Sequence, residues 1–180
     1  MMLETFLNEA VLYIYRLFTD EIARYAVFMA MIFCGLHRRY AGKRWWRAVL
    51  LFALGAWCSA VLWVTVFSRD RGMHSAVWIP FHTYYRVICG ESPELLRSAF
   101  MNMVLFYPAG MICAGLLSRN QSCKYRILCA LLCFGVFSLS VELTQYFRQL
   151  GNCEIDDVLH NTLGAAVGVI AFCRFENGTG

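Results

Sequence analysis

The stretch AVLLFALGAWCSAVLWVTVF, residues 48–67, runs for 20 positions without a charged side chain. About 20 consecutive apolar residues make a helix long enough to cross the hydrocarbon core of a bilayer. A helix that is apolar on every side must be buried in a large protein core or in lipid, and a small soluble domain offers no such core. The stretch therefore predicts a transmembrane helix, and it decides the class of fold.

The composition of the whole chain supports the same class. Of its 180 residues, 59% are hydrophobic and 16% are charged, whereas soluble domains contain about 45–50% apolar and about 25% charged residues. The formal charge of +4 comes from short basic clusters beside apolar segments, a pattern typical of membrane topology and unlike a nucleic-acid-binding surface. We therefore expect a single membrane domain over residues 1–180 and no nucleic-acid partner.

Other apolar segments extend this prediction to a bundle. Four more helices are indicated at 22–36, 99–117, 127–147 and 158–173. The first of them is short, and it crosses the bilayer only if Arg24 reaches the surface or is paired. Residues 3–18 are apolar on one helical face, which predicts an amphipathic helix in the membrane interface, with re-entrant packing against the bundle as the alternative. The expected fold is all-α: a polytopic transmembrane bundle of about five helices with an N-terminal amphipathic interfacial helix.

The connecting segments predict the orientation of this bundle. The loops at 37–47 and 118–126 contain several basic residues and no acidic residue, so the positive-inside rule places both in the cytoplasm. The connections at 68–98 and 148–157 then lie outside the cell. The 68–98 connection is too long for a tight turn and is rich in aromatic residues, which suit the membrane interface. We expect it to fold back over the outer mouth of the bundle.

A polar stripe interrupts the apolar helix predicted at 127–147. Its members are spaced i, i+4, i+7 and i+11, which places them on one helical face: Ser138, Glu142, Gln145 and Gln149. A carboxylate at membrane depth costs at least ~2.5 kcal/mol on insertion scales, so Glu142 needs a partner or a functional reason. One interpretation is an ion pair with Arg69 or Arg148 that fixes the helix register, and the other is a ligand site.

The last predicted helix repeats this spacing with Asp157, Asn161, Gly164 and Gly168. The two glycines form a GxxxG motif, which lets another helix approach closely, so we expect the two polar stripes to face each other above a tight crossing. Structural alternatives remain for the polar members. Asp156 or Asp157 would cap their own helix, where acids suit the helix dipole, and Asn102 or Asn161 would hydrogen-bond between helices.

We predict that these side chains form an outward-facing ligand site without a bound cofactor. The candidate ligand-binding residues are Arg69, His82, Asn102, Glu142, Gln145, Arg148, Asp156, Asp157 and Asn161. His160 follows Asp156 by one helical turn, a spacing that suits a shared metal ion, but the chain contains no cofactor or metal motif and we expect neither group. Cys89 and Cys153 fall in predicted outer connections, where a disulfide and two free thiols are both consistent with the sequence.

Several of these residues occur in short motifs. In chain order, the motifs are Arg69 with the PFHTY element, Asn102 with LFYPAG, Glu142-x-x-Gln145 with Arg148, and DDVxxNTxG over residues 156–164. Together they resemble the motifs of the VanZ-like membrane proteins. The resemblance covers a core of about residues 64–170. The GNCE segment before the acid pair departs from the family pattern.

The resemblance implies a multi-pass protein of a bacterial cytoplasmic membrane, whose name-giving relatives confer low-level resistance to teicoplanin-type glycopeptides. It also implies that the polar set above is the functional set of this chain. A lipoglycopeptide and a cell-wall precursor lipid both carry an apolar tail and a polar part, so the expected partners are membrane lipids and an amphiphile of this kind. A membrane enzyme acting on a polyprenyl-phosphate or phospholipid head group is the alternative, and a lipid transporter or flippase is a further one.

Overall fold

The structure, a computed structural model, describes residues 21–72, 75–91, 94–117 and 120–178. The amphipathic helix predicted at 3–18 lies outside these residues. In the described part the helices are α1 (Glu21–Tyr40), α2 (Arg44–Leu62), α3 (His82–Ile88), α4 (Glu94–Leu116), α5 (Cys123–Arg148) and α6 (Ile155–Asn177). A π-helical turn, Trp63–Phe67, extends α2, and two short strands, β1 (Ala76–Val77) and β2 (Cys153–Glu154), pair in parallel. The prediction of an all-α bundle is confirmed.

Four of the described helices are long and apolar enough to cross a membrane: Arg44–Phe67, Glu94–Leu116, Cys123–Arg148 and Ile155–Asn177. They correspond to the spans predicted at 48–67, 99–117, 127–147 and 158–173. These four helices support a multi-pass membrane protein. The helix predicted at 22–36 forms as α1, but it is not one of the four. Its last turn is basic, with His37, Arg38 and Arg39, so its apolar stretch is shorter than its length suggests.

The centre of the bundle is the contact between α4 and α6, where the two backbones nearly touch. A Cβ atom added to Gly164 would lie 2.1 Å from the carbonyl oxygen of Met103, and one added to Gly168 would lie 2.1 Å from that of Tyr107. The GxxxG motif therefore allows a close helix approach, as expected. The helix that approaches is α4, however, and not the helix that carries the other polar stripe.

The remaining spanning helices flank this pair. α1 and α2 pack on α4, while α5 packs chiefly on α6. Phe106 of α4 is buried between the helices, with its ring edge-on to Phe134 of α5 at a centroid distance of 6.1 Å. α4 continues through Pro108.

Buried polar pairs hold the end of the bundle that the sequence assigns to the cytoplasm. Trp46 Nε1 donates to His37 Nδ1 at 3.0 Å, and the guanidinium of Arg126 pairs with the Glu176 carboxylate at 2.5 Å. The candidate ligand-binding residues all lie toward the opposite end, on the outer turns of the spanning helices or in the connections that follow them.

Candidate functional site

Asp156 anchors the connection between α2 and α4 to the start of α6. One carboxylate oxygen accepts a hydrogen bond from the backbone N–H of Phe81 at 2.6 Å, and the other accepts one from the N–H of Thr83 at 2.7 Å. Amides at a helix N-terminus have no partner within their own helix, so the buried Asp156 side chain completes the first turn of α3. The expectation that one of the two acids caps its own helix is wrong for Asp156, because it caps α3, and the N-cap residue of α6 is Glu154.

Further contacts hold the same connection in place. The Tyr84 hydroxyl and His160 Nε2 share a hydrogen bond of 2.8 Å, and β1 pairs with β2 through residues 76 and 153. Burial and the nearby Asp156 carboxylate raise the pKa of Tyr84, so its hydroxyl stays protonated near neutral pH. Within the described residues, no group of three His, Cys, Asp or Glu side chains is placed to hold a metal ion; the partner found for His160 is a tyrosine.

Two carboxylates and an arginine meet at the outer mouth of the bundle. Asn102 Nδ2 donates to the Asp157 carboxylate at 2.7 Å, and the buried Glu142 carboxylate accepts from the backbone N–H of Glu154 at 3.1 Å. Both carboxylates interact electrostatically with Arg69. Arg69 is therefore the cation whose charge acts on both carboxylates, whereas neither Arg69 nor Arg148 forms an ion pair with Glu142 within the described residues.

Deeper in the membrane the two polar stripes contact each other, as their spacing predicts. Asn161 Nδ2 donates to Ser138 Oγ at 2.8 Å, and both side chains are buried. Gln145 points to a different neighbour: its Nε2 donates to the backbone carbonyl of Thr65 at 2.8 Å. Thr65 lies in the π-helical turn that ends α2. Carbonyl groups in the last turn of a helix have no partner within the helix, and Gln145 supplies a donor to one of them.

Two candidate residues stand apart from these contacts. Arg148 is exposed, and within the described residues it makes no hydrogen bond or ion pair. His82 lies at the start of α3, with a buried Nδ1 atom that has no hydrogen-bond partner among the described residues. Their role as ligand contacts stays a prediction.

Cys89 and Cys153 are free thiols, the first exposed and the second buried. The alternative of a disulfide between them is therefore not the one that the structure adopts. Burial raises the pKa of the Cys153 thiol, and the carboxylates of Glu142, Asp157 and Glu154 raise it further. This buried thiol therefore lies within electrostatic range of the Glu142 and Asp157 carboxylates.

A cavity of about 750 Å³ opens beside the polar cluster. It lies among α1, α2 and α4, and its walls are mainly apolar and aromatic side chains. Its polar end contains Thr65, Arg69 and Asn102. Arg69 and Asn102 therefore line the cavity and also belong to the polar cluster around Glu142 and Asp157. Neither this cavity nor the contribution of Thr65 was predictable from the sequence, because both depend on how separate helices pack and leave no local pattern.

Four candidate membrane spans around a polar cluster at one end define a multi-pass helical membrane protein. A family model described as VanZ/LLP1 matches residues 45–176. This match covers most of the chain and every candidate site residue, and the chain therefore belongs to the VanZ/LLP1 family. No curated protein and no solved structure matches it significantly.

Proposed function

We propose that this protein binds an amphiphile of the bacterial cell envelope at the outer face of the cytoplasmic membrane, and that this binding contributes to resistance to teicoplanin-type glycopeptides. The ligand combines an apolar chain with an anionic polar part, a chemistry shared by cell-wall precursor lipids and lipoglycopeptides. The observation that carries the proposal is the position of Arg69, which interacts with the Glu142 and Asp157 carboxylates and also lines the apolar cavity.

The cavity suits the chain of such a ligand. Apolar surface transferred from water contributes about 25 cal/mol per Å², and ligand pockets are commonly ~300–1,000 Å³ with a few polar groups at one end. Trp57, whose indole N–H donates to the Leu105 carbonyl at 2.9 Å, fixes the wall between α2 and α4. A chain lying against this wall would enter from the membrane, between helices whose outer surfaces face lipid.

The polar end suits the rest of the ligand. The Arg69 guanidinium presents a planar fork that matches phosphate or carboxylate oxygens, and it is exposed. Asp157, held by Asn102, accepts hydrogen bonds from amide, hydroxyl or amine groups. The orientation predicted from the basic loops places this end outside the cell, where both kinds of ligand occur.

Resistance measurements test the proposal. The protein is expressed in a teicoplanin-susceptible Gram-positive host, and the minimal inhibitory concentration is compared for the parent, Arg69→Ala and Glu142→Gln. We expect both variants to lose protection at an unchanged membrane level. Arg71→Ala, which removes an exposed arginine two residues away, is the matched control and should keep protection. Full resistance in both site variants would contradict the proposal.

An enzyme acting on a polyprenyl-phosphate or phospholipid head group is the second candidate. It is favoured by the interaction between the buried Glu142 carboxylate and the half-buried Asp157 carboxylate beside Arg69, because such a pair is able to donate and accept protons while an arginine holds phosphate. Labelled lipids of both classes are incubated with the protein in proteoliposomes. Product that forms with the parent and is absent with Glu142→Ala would favour the enzyme, whereas retained binding without product would favour the binding protein.

A further inference from the structure

The connection that Asp156 anchors exposes a set of large apolar side chains, which we call the α3 apolar face. Its members are between 53% and 69% exposed: Trp78, Ile79, Phe81, Tyr85 and Ile88. Five such side chains within 11 positions form a patch of a kind that soluble surfaces seldom present without a partner.

The polar contacts of this segment are on its other side. The amides of Phe81 and Thr83 donate to the buried Asp156 carboxylate, and the Tyr84 hydroxyl bonds to the buried ring of His160. The segment therefore directs hydrogen bonds inward and apolar side chains outward. This is the reverse of a water-exposed loop, and it is what a lipid environment favours.

The depth of the segment follows from its anchors. Asp156 and His160 are the second and sixth residues of α6, so α3 lies beside the first ~8 Å of a spanning helix at a rise of ~1.5 Å per residue. This is the depth of the boundary between lipid head groups and acyl chains. The same level of the bundle exposes Phe147 at 77% and Leu159 at 40%, so the α3 apolar face continues the lipid-contacting surface of the spanning helices.

We infer that the α3 apolar face is embedded in the lipid leaflet, with the bilayer itself as its partner. The aromatic members suit this boundary, where aromatic belts occur. At the far end of the segment Arg86 and Glu91 form an exposed ion pair at 2.6 Å, and we place this pair among the head groups. The inference does not depend on which amphiphile the Arg69 site binds.

Photocrosslinking in native membranes tests which partner covers this face. A benzophenone amino acid replaces Ile88 in one protein and Glu91 in a matched control three positions away, and the adducts are identified by intact mass. We expect at least fivefold more lipid adduct at position 88 than at position 91. Equal lipid adduct at both positions, or a dominant adduct with a second copy of the chain or with another protein, would overturn the inference.

Fluorescence quenching supplies a measurement on a conservative variant. The emission lost in Trp78→Phe is attributed to Trp78, and it is measured in liposomes of phosphatidylcholine with or without bromine on its acyl chains. We expect the brominated lipid to remove at least half of this emission and aqueous iodide to remove little of it. The opposite ranking of the two quenchers refutes lipid contact, and because neither assay involves Arg69 or resistance, failure here is separate from failure of the proposed function.

Discussion

Replacing Gly164 with alanine should separate the two central helices. The added Cβ would lie 2.1 Å from the carbonyl oxygen of Met103 and 2.7 Å from its Cα and carbonyl carbon. Ordinary van der Waals contact begins at 3.4 Å, so the backbones must move apart by about 1.3 Å (3.4 − 2.1). The atoms in the way belong to the backbone of α4, so no side chain is able to turn aside.

The size of the effect follows from two opposing contributions. Overpacking a core costs typically about 1–3 kcal/mol, and a clash between two backbones belongs at the upper end. Alanine in a helix gains back about 1 kcal/mol relative to glycine. We therefore expect Gly164→Ala to lower the free energy of unfolding by about 2 kcal/mol. At roughly 2–4 °C per kcal/mol, the Tm falls by about 4–8 °C.

Thermal unfolding in detergent, followed by fluorescence-detected size exclusion, measures this shift. The matched control is Gly135→Ala on α5, where the nearest atom to the added Cβ is Thr162 Oγ1 at 3.7 Å, an ordinary contact. The control should be as stable as the parent or slightly more stable. Because Asn102 precedes Met103, Gly164→Ala should also weaken the Asn102–Asp157 contact and with it ligand binding. Equal Tm values for the two variants would refute the packing argument.

Four more predictions concern the site and the connections around it. Asp156→Ala leaves two backbone amides at the start of α3 without acceptors, which costs about 1–3 kcal/mol for each buried group. Hydrogen exchange should therefore rise in α3 while α4 and α6 stay protected. Equal exchange in all three helices would contradict this. A membrane-impermeant maleimide should label the exposed Cys89 on intact cells, and labelling of Cys89 only after the cells are permeabilised would contradict the predicted orientation. The buried Cys153 should resist alkylation in isolated membranes until a pH above that of an ordinary thiol, because its raised pKa keeps it protonated. Gln145→Leu removes the donor to the π-turn carbonyl and should lower the Tm, whereas Gln145→Glu, whose protonated form keeps one donor, should recover part of the loss as the pH falls.

Helix positions were predictable from the sequence because they depend on local patterns. The uncharged stretch at 48–67 became a spanning helix, and the i, i+4, i+7 spacing of the two stripes brought Ser138 and Asn161 into contact. The convergence of Asn102, Glu142 and Asp157 was predictable for the same reason, since the outer ends of neighbouring spans meet at one membrane face.

Contacts between distant segments were not predictable in this way. Nothing near Asp156 in the sequence indicates that its carboxylate accepts hydrogen bonds from backbone amides at the start of a helix more than 70 residues earlier. The π-helical turn that Gln145 supports depends on an extra residue accommodated within α2, which hydrophobic periodicity does not register. The glycines at 164 and 168 predicted a close crossing but not its partner, because a small residue accepts any helix that packs against it.

The hydrogen bonds of the site determine which members of the polar set are available to a ligand. Asp156 and Gln145 each use their side chains on backbone groups, so their loss should act mainly through structure. Arg69 and Arg148 differ from these two residues. Both arginines are exposed, and neither donates a hydrogen bond to the described part of the chain. An arginine offers five N–H donors and no acceptor. The hydrogen-bonding capacity that these two arginines leave free is cationic, and this favours a ligand whose polar part carries a phosphate or carboxylate over one recognised by acidic side chains alone.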